Sequence, residues 1–154
     1  AALGAAQVDR EGNVNVSQFT HRFVGVGGFV NIAQNARRLV FCGTLTADSL
    51  RIAVEDGRLR IVQEGRVMKY VEQVDQVSFS AHTARQKQQQ VLYVTERAVF
   101  RLAPEGIELV EVAPGIDIET QVIGAMGFRP LVREVRPMPD GAFAAAPVRK
   151  GAAL

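Results

Sequence analysis

Few places in these 154 residues offer groups able to do chemistry, and the most informative is the run Gly25-Val26-Gly27-Gly28-Phe29-Val30-Asn31-Ile32-Ala33-Gln34-Asn35-Ala36-Arg37. Glycines that lead into a helix let a ligand approach the backbone, because no Cβ stands in the way. The unpaired N–H groups of the first helical turn then point outward as donors for an anion. Acyl transfer needs such donors, since a tetrahedral intermediate gathers negative charge on the former carbonyl oxygen. Glycine runs of this kind also occur in ordinary loops. On pattern alone the segment reads first as a structural turn and second as an anion cradle. A dinucleotide fingerprint fits worse, because no third glycine follows Gly28 at the required spacing.

The other reactive side chains read as structure. Cys42 is the only cysteine, so no internal disulfide can form, and a reducing, cytoplasmic setting is expected. Its place inside Leu39-Val40-Phe41-Cys42-Gly43 predicts a small core residue, without the electropositive exposure that favours a thiolate. His21 and His82 stand far apart with no companion cysteine or acidic pattern. No spacing suited to metal ligands is present, so no metal is expected. Glu55-Asp56-Gly57 forms an E-x-G triplet that offers the Glu55 carboxylate. It also lies between two alternating runs, where Asp-Gly signals a hairpin tip, and an exposed turn glutamate has little to activate it.

The elements that must position these groups follow from periodicity. Phe29, Ile32, Ala33 and Ala36 fall at helical spacing and predict a short helix over 29–37. Leu39 to Leu45 suits a buried strand. Leu50–Val54 and Leu59–Gln63 predict a hairpin around Asp56-Gly57. Val91–Thr95, Ala98–Leu102 and Ile107–Val112 predict three further strands, with Ala84–Gln90 as a polar surface connection. Asp117 is placed to cap a helix whose apolar stripe is Ile118, Val122, Ile123 and Met126, ending at Gly127. From Pro137 onward the composition of Pro, Ala and Gly, with Arg149 and Lys150, predicts a disordered tail over 137–154.

Composition narrows the function classes. The hydrophobic fraction is 47%, the charged fraction 22% and the net charge +2. These values fit one globular domain and give no basic run of the kind that tracks phosphates. Nucleic acid is therefore not expected as a partner. Neither a membrane is expected, since no stretch of about 18 apolar residues occurs. The sequence opens on Ala1 in an apolar run without a Met, which creates the expectation of a longer polypeptide.

Several collinear blocks together resemble the carboxyl-terminal part of the acetate CoA-transferases, a family of short-chain acyl-CoA:carboxylate transferases related to the 3-oxoacid enzymes. They are Gln7–Val16, Gly25–Arg37, Val40–Thr46, Ala53–Gly57, Ile61–Gly65, Tyr93–Leu102 and Ala113–Asp117, within a match running from about Leu3 to Val132. The resemblance implies an α/β fold with an open sheet and an antiparallel hairpin section. Residues 1–136 would be the carboxyl-terminal part of the glutamate-bearing domain. It also implies a ping-pong transfer of CoA between a short-chain acyl-CoA and a carboxylate such as acetate, through a glutamyl-CoA thioester. Coenzyme A would be a substrate, with no cofactor, and the remainder of the same enzyme a partner in a homo-oligomer. The family's glutamate lies upstream of the Gln7 block, hence outside this chain. By family position Gly28 and Phe29 would supply backbone donors on the oxyanion side, while Gly27, Asn31, Gln34 and Asn35 would shape the pocket wall. For the three polar helix residues an exposed, purely structural role is an equal reading. One departure stands out: relatives tend to have Thr-Ala-Gly-Gly-Leu where this chain has Thr46-Ala47-Asp48-Ser49-Leu50. Two other readings remain open at this stage, a non-catalytic assembly module and an acyl-CoA hydrolase on the same scaffold.

Overall fold

The computed structural model describes residues 1–19 and 22–143. His21, Arg149, Lys150 and the rest of 144–154 lie outside the described residues. The centre of the fold is the strand Arg38–Cys42, whose burial alternates so that Leu39 and Phe41 face the core. It runs parallel to Ala2–Gly4 on one side and to Gln90–Val94 on the other. Beyond Gln90–Val94 the strands Ala98–Ala103 and Gly106–Val112 add antiparallel, and Leu131–Pro137 closes the six-stranded sheet in parallel. The open, mixed α/β architecture expected from the sequence is present.

One face of this sheet carries the main core. Phe41 is its hub, with ring centroids 5.4 Å from Tyr93, 5.1 Å from Phe79 and 6.0 Å from Phe29. Such offset and edge contacts add to the large apolar area that each ring buries. Two short helices and a small sheet made of Gln7–Asp9, Val14–Asn15 and Tyr70–Val71 cover this face. Helix α1, Phe29–Asn35, stops two residues before the expected Arg37, because Ala36 already has the extended ψ that leads into the central strand. Helix α2, Ala81–Gln86, overlaps the first residues of the stretch Ala84–Gln90 that the sequence marks as a helix-tolerant surface connection. Ser80 caps it by accepting from the Thr83 N–H, and Ala81 and Ala84 form its narrow buried stripe. A two-alanine stripe is too slight to show in hydrophobic periodicity.

The predicted hairpin forms as Arg51–Glu55 paired with Arg58–Gln63, and Asp56 and Gly57 both take the positive φ that such a turn demands. It docks on the second face of the sheet, where Leu59, Val99, Ala113 and Met138 make a smaller core. The predicted final helix is corrected. Asp117 does cap, accepting from the Thr120 N–H at 2.8 Å, but the chain makes one π turn, Ile118–Val122, and then a 3₁₀ turn, Ile123–Ala125. Gly124 and Gly127, poor helix formers, weaken the drive for a regular α-helix to persist. The chain then continues into the edge strand Leu131–Pro137, and Met138 is buried beyond it, so order runs past Pro137.

Gly12 locks the Gln7–Val14 turn onto the sheet. Its φ is +92°, its carbonyl accepts from the Tyr93 hydroxyl, and an added Cβ would stand 2.7 Å from both that hydroxyl and Leu102 Cδ1. Gly12→Ala is therefore expected to destabilise the chain by about 1–3 kcal/mol. Denaturant unfolding of the two proteins measures this; an unchanged midpoint would contradict the packing described.

Candidate functional site

In open α/β sheets ligands bind at the carboxyl ends of the parallel strands. Here those ends belong to Ala2–Gly4, Arg38–Cys42 and Gln90–Val94, and three features converge on them. The first is the start of α1, which runs back along the sheet so that Phe29 stacks on Phe41 near the end of its strand. Gly27 and Gly28 are exposed, and a Cβ would meet nothing within 4 Å at Gly27. The positive φ of Gly27, +49°, is what requires glycine there. The Phe29 N–H is taken by the Val26 carbonyl at 3.0 Å, whereas the Gly28 N–H has no partner among the described residues. Of the two backbone donors expected on the oxyanion side, only that of Gly28 is free to face a ligand. Asn31, Gln34 and Asn35 are all exposed. Asn35 turns back to the Asn31 carbonyl, and Gln34 lines a crevice of about 40 Å³ with Ser78, Thr83 and Gln89.

The second feature is a buried cation that sequence reasoning did not single out. The Arg97 side chain is fully enclosed. Its Nη1 and Nη2 donate to Glu64 at 2.7 and 2.9 Å, Nη1 also reaches the Gln121 carbonyl at 2.9 Å, and Nε donates to Glu96. Glu96 in turn accepts from the Leu45 N–H at 2.9 Å, and Glu64 accepts from the Thr46 hydroxyl. One guanidinium thereby ties the loop after the central strand to the end of the hairpin and to the π turn. The Arg97 hydrogen bonds, ahead of the opposing effect of burial, hold Glu64 down to about 2 from its ordinary 4.5. Both residues lie within the blocks that carry the family resemblance, but no spacing rule links positions 33 residues apart.

The third feature is Cys42 with its neighbours. It is exposed, which corrects the expectation of a core residue. Strand alternation sends Leu39 and Phe41 inward and Cys42 to the opposite face, where nothing covers it among the described residues. Elsewhere, the E-x-G glutamate Glu55 is exposed on the hairpin and paired with Arg60 at 2.8 Å. His82 is exposed on α2 and contacts Gln86. Asp48 and Ser49 both have positive φ, 59° and 70°, a conformation that suits glycine better than a residue with a side chain. Asp48 is steadied there by Arg66 at 2.8 Å. Among the described residues no group of three His, Cys, Asp or Glu side chains is placed to hold a metal.

No family model matches the chain. Curated relatives do. Acetate CoA-transferase YdiF of Escherichia coli K12 is 43% identical over 130 residues, covering 84% of this chain and 24% of that protein. Caffeate CoA-transferase of Acetobacterium woodii is 41% identical over 149 residues, covering 93% and 28% respectively. Crystal structures of the YdiF acyl-CoA transferase from E. coli O157:H7, one as apoenzyme and one as a thioester complex with CoA, superpose with a TM-score of 0.92 at 41% identity. They cover 94% of this chain and 28% of theirs. In sequence and in fold, this chain resembles one segment of the acetate-type CoA-transferases. It spans about a quarter of the length of the curated relatives it matches.

The Arg97–Glu64 pair predicts a pH-dependent stability. A carboxylate whose folded value is depressed contributes fully above its unfolded value of about 4.5 and loses that contribution as pH falls toward about 2. Glu64→Gln is thus expected to lower the thermal midpoint near neutral pH, with the gap from the parent chain narrowing steadily below pH 4.5. A gap that stays constant down to pH 2 would show that Glu64 acts by packing alone.

Proposed function

We propose that the complete polypeptide containing this segment transfers CoA between a short-chain acyl-CoA and a carboxylate such as acetate. The observation that carries the reading is the joint agreement with YdiF, a TM-score of 0.92 at 41% identity over 94% of the chain. The chemistry runs through a glutamate. Its carboxylate attacks the acyl-CoA carbonyl, CoA leaves as thiolate, and an acyl-glutamyl anhydride results. The thiolate then attacks the glutamyl carbonyl, expelling the first carboxylate and leaving a glutamyl-CoA thioester. The acceptor carboxylate reverses these steps to form the new acyl-CoA. Each step is an acyl transfer through a tetrahedral oxyanion, and dividing the reaction lowers the barrier that any one step must cross.

In this reading the segment supplies the oxyanion side, with the Gly28 N–H as donor, and the nucleophile comes from outside the chain. The state of the chain's own glutamates supports that division. Of ten glutamates in the sequence, nine are ion-paired with an arginine. A carboxylate held against an arginine is a poorer nucleophile, because the cation draws on the oxygen charge that would attack. The tenth, Glu111, is half-buried in the Gly106–Val112 strand within a crevice it shares with Glu134 and Arg136, away from α1. A crystal structure of YdiF as a thioester complex with CoA is in keeping with a covalent route of this kind.

The test is exchange of labelled acetate into acetyl-CoA. The complete polypeptide is expected to catalyse it and the 154-residue chain alone is not. Free CoA released at the same rate with and without acetate would instead identify a hydrolase. Exchange by the isolated chain at the rate of the complete polypeptide would overturn the placement of the nucleophile.

A further inference from the structure

Lys69 lies where the carboxyl ends of the parallel strands meet, and nothing in the fold explains it. It occupies the break between the strands Val67–Met68 and Tyr70–Val71, and its carbonyl accepts from the Val8 N–H at 2.9 Å, which fixes its backbone. The half-buried side chain reaches across Gly43, so that a Cβ on that glycine would stand 2.8 Å from Nζ. The glycine that ends the central strand is therefore what lets the ammonium in. Around it are Ala5, Phe41, Thr44 and Thr95, with about 10 Å³ of free space, room for roughly one water or a single ligand oxygen. Among the described residues Nζ makes no hydrogen bond or ion pair, and since no enclosed polar side-chain atom there lacks a partner, Nζ opens to solvent through the mouth of the crevice. The nearest candidate, Glu96, is already committed to Arg97 and to the Leu45 N–H.

A partly desolvated cation that still opens to solvent is placed to gain from an incoming anion, because an opposite charge there restores the interactions that burial has removed. Burial pulls the Lys69 pKa down, and the more distant Glu96 only partly opposes this. Phe41, which walls the crevice, also carries Phe29 at the start of α1, so Lys69 and the glycine segment are one aromatic ring apart. A crevice of that size admits a single anionic oxygen, and in the CoA-transfer reading above the anions that react are carboxylates.

From this geometry we infer that Lys69 is the cation that receives a reacting carboxylate, held by a charge-assisted N–H···O bond over Gly43. The inference rests on the CoA-transfer reading above and adds a binding residue to it. Two carboxylates meet the description, the acceptor substrate and the enzyme's own nucleophile, and kinetics separate them. In the complete polypeptide, Lys69→Met is expected to cost about ten- to hundredfold, the effect of one hydrogen bond to a charged group. A rise of that size in the KM for acetate, with kcat little changed, assigns the acceptor. An unchanged KM with an equally slowed burst of thioester formation from acetyl-CoA alone assigns the nucleophile. Lys69→Arg should recover part of either loss, and Gly43→Ala, which displaces the ammonium without removing it, should reproduce part of it. Both variants should keep the parent's circular dichroism spectrum. Lys69→Met with parent-like KM, kcat and burst would overturn the inference. Lysine-selective NMR of the complete polypeptide gives a readout independent of turnover. The Lys69 ε-resonance should shift on adding acetate or on removing the nucleophilic carboxylate. A resonance indifferent to both overturns the proposal, even if the parent protein proves unable to transfer CoA.

Discussion

A guanidinium taken out of water must be met on every side, and much of this molecule is arranged around that requirement at Arg97. Its side chain is fully enclosed, and its donors are consumed by Glu64, Glu96 and the Gln121 carbonyl. Removing either carboxylate would leave enclosed N–H donors of the guanidinium without an acceptor, a cost that the remaining carboxylate only partly offsets. The three partners sit on the hairpin, on the turn after Gln90–Val94, and on the π turn. These elements share no sheet, and the ion cluster fixes their relation where hydrogen-bonded ladders do not. The Leu45 N–H and the Thr46 hydroxyl, bound to the same two glutamates, extend that order to the loop after the central strand.

That loop and its neighbours are the carboxyl edge, where the glycine segment, Lys69 and Gly43 come together. The aromatic hub beneath performs the same task in apolar form. Phe41 touches Phe29, Phe79 and Tyr93, so the start of α1 is held against the end of the central strand by ring packing. The edge is thus held by ion pairs as well as by ring packing, which restrains its backbone. Acyl transfer benefits from that rigidity, because donors fixed in advance need no reorganisation as charge develops.

Much of this was legible in the residues. The hairpin declares itself through Asp56-Gly57 between alternating runs, and the central strand through an unbroken apolar stretch. The start of α1 shows as glycines followed by helical spacing. What stayed hidden has physical reasons. Helix α2 presents only two buried alanines, too small a moment to register. The last helix has the right stripe and cap, but glycines at 124 and 127 dissolve it into π and 3₁₀ turns. Cys42 was misjudged because an apolar run does not say which residues face the covered side, and strand alternation decides that. The Arg97 cluster and Lys69 join residues brought together only by topology, so no local pattern contains them. The paired positive φ values at Asp48 and Ser49 are likewise a backbone shape that the residue types there do not announce, since neither is glycine.

The account turns on one division of labour, in which this segment holds the oxyanion and a carboxylate from elsewhere in the polypeptide attacks. Incubating the complete polypeptide with acyl-CoA, trapping the adduct with borohydride and mapping the modified peptide by mass spectrometry tests it most directly. The modified glutamate is predicted to lie outside these 154 residues. Modification of Glu55, Glu111 or any other glutamate within them would contradict it.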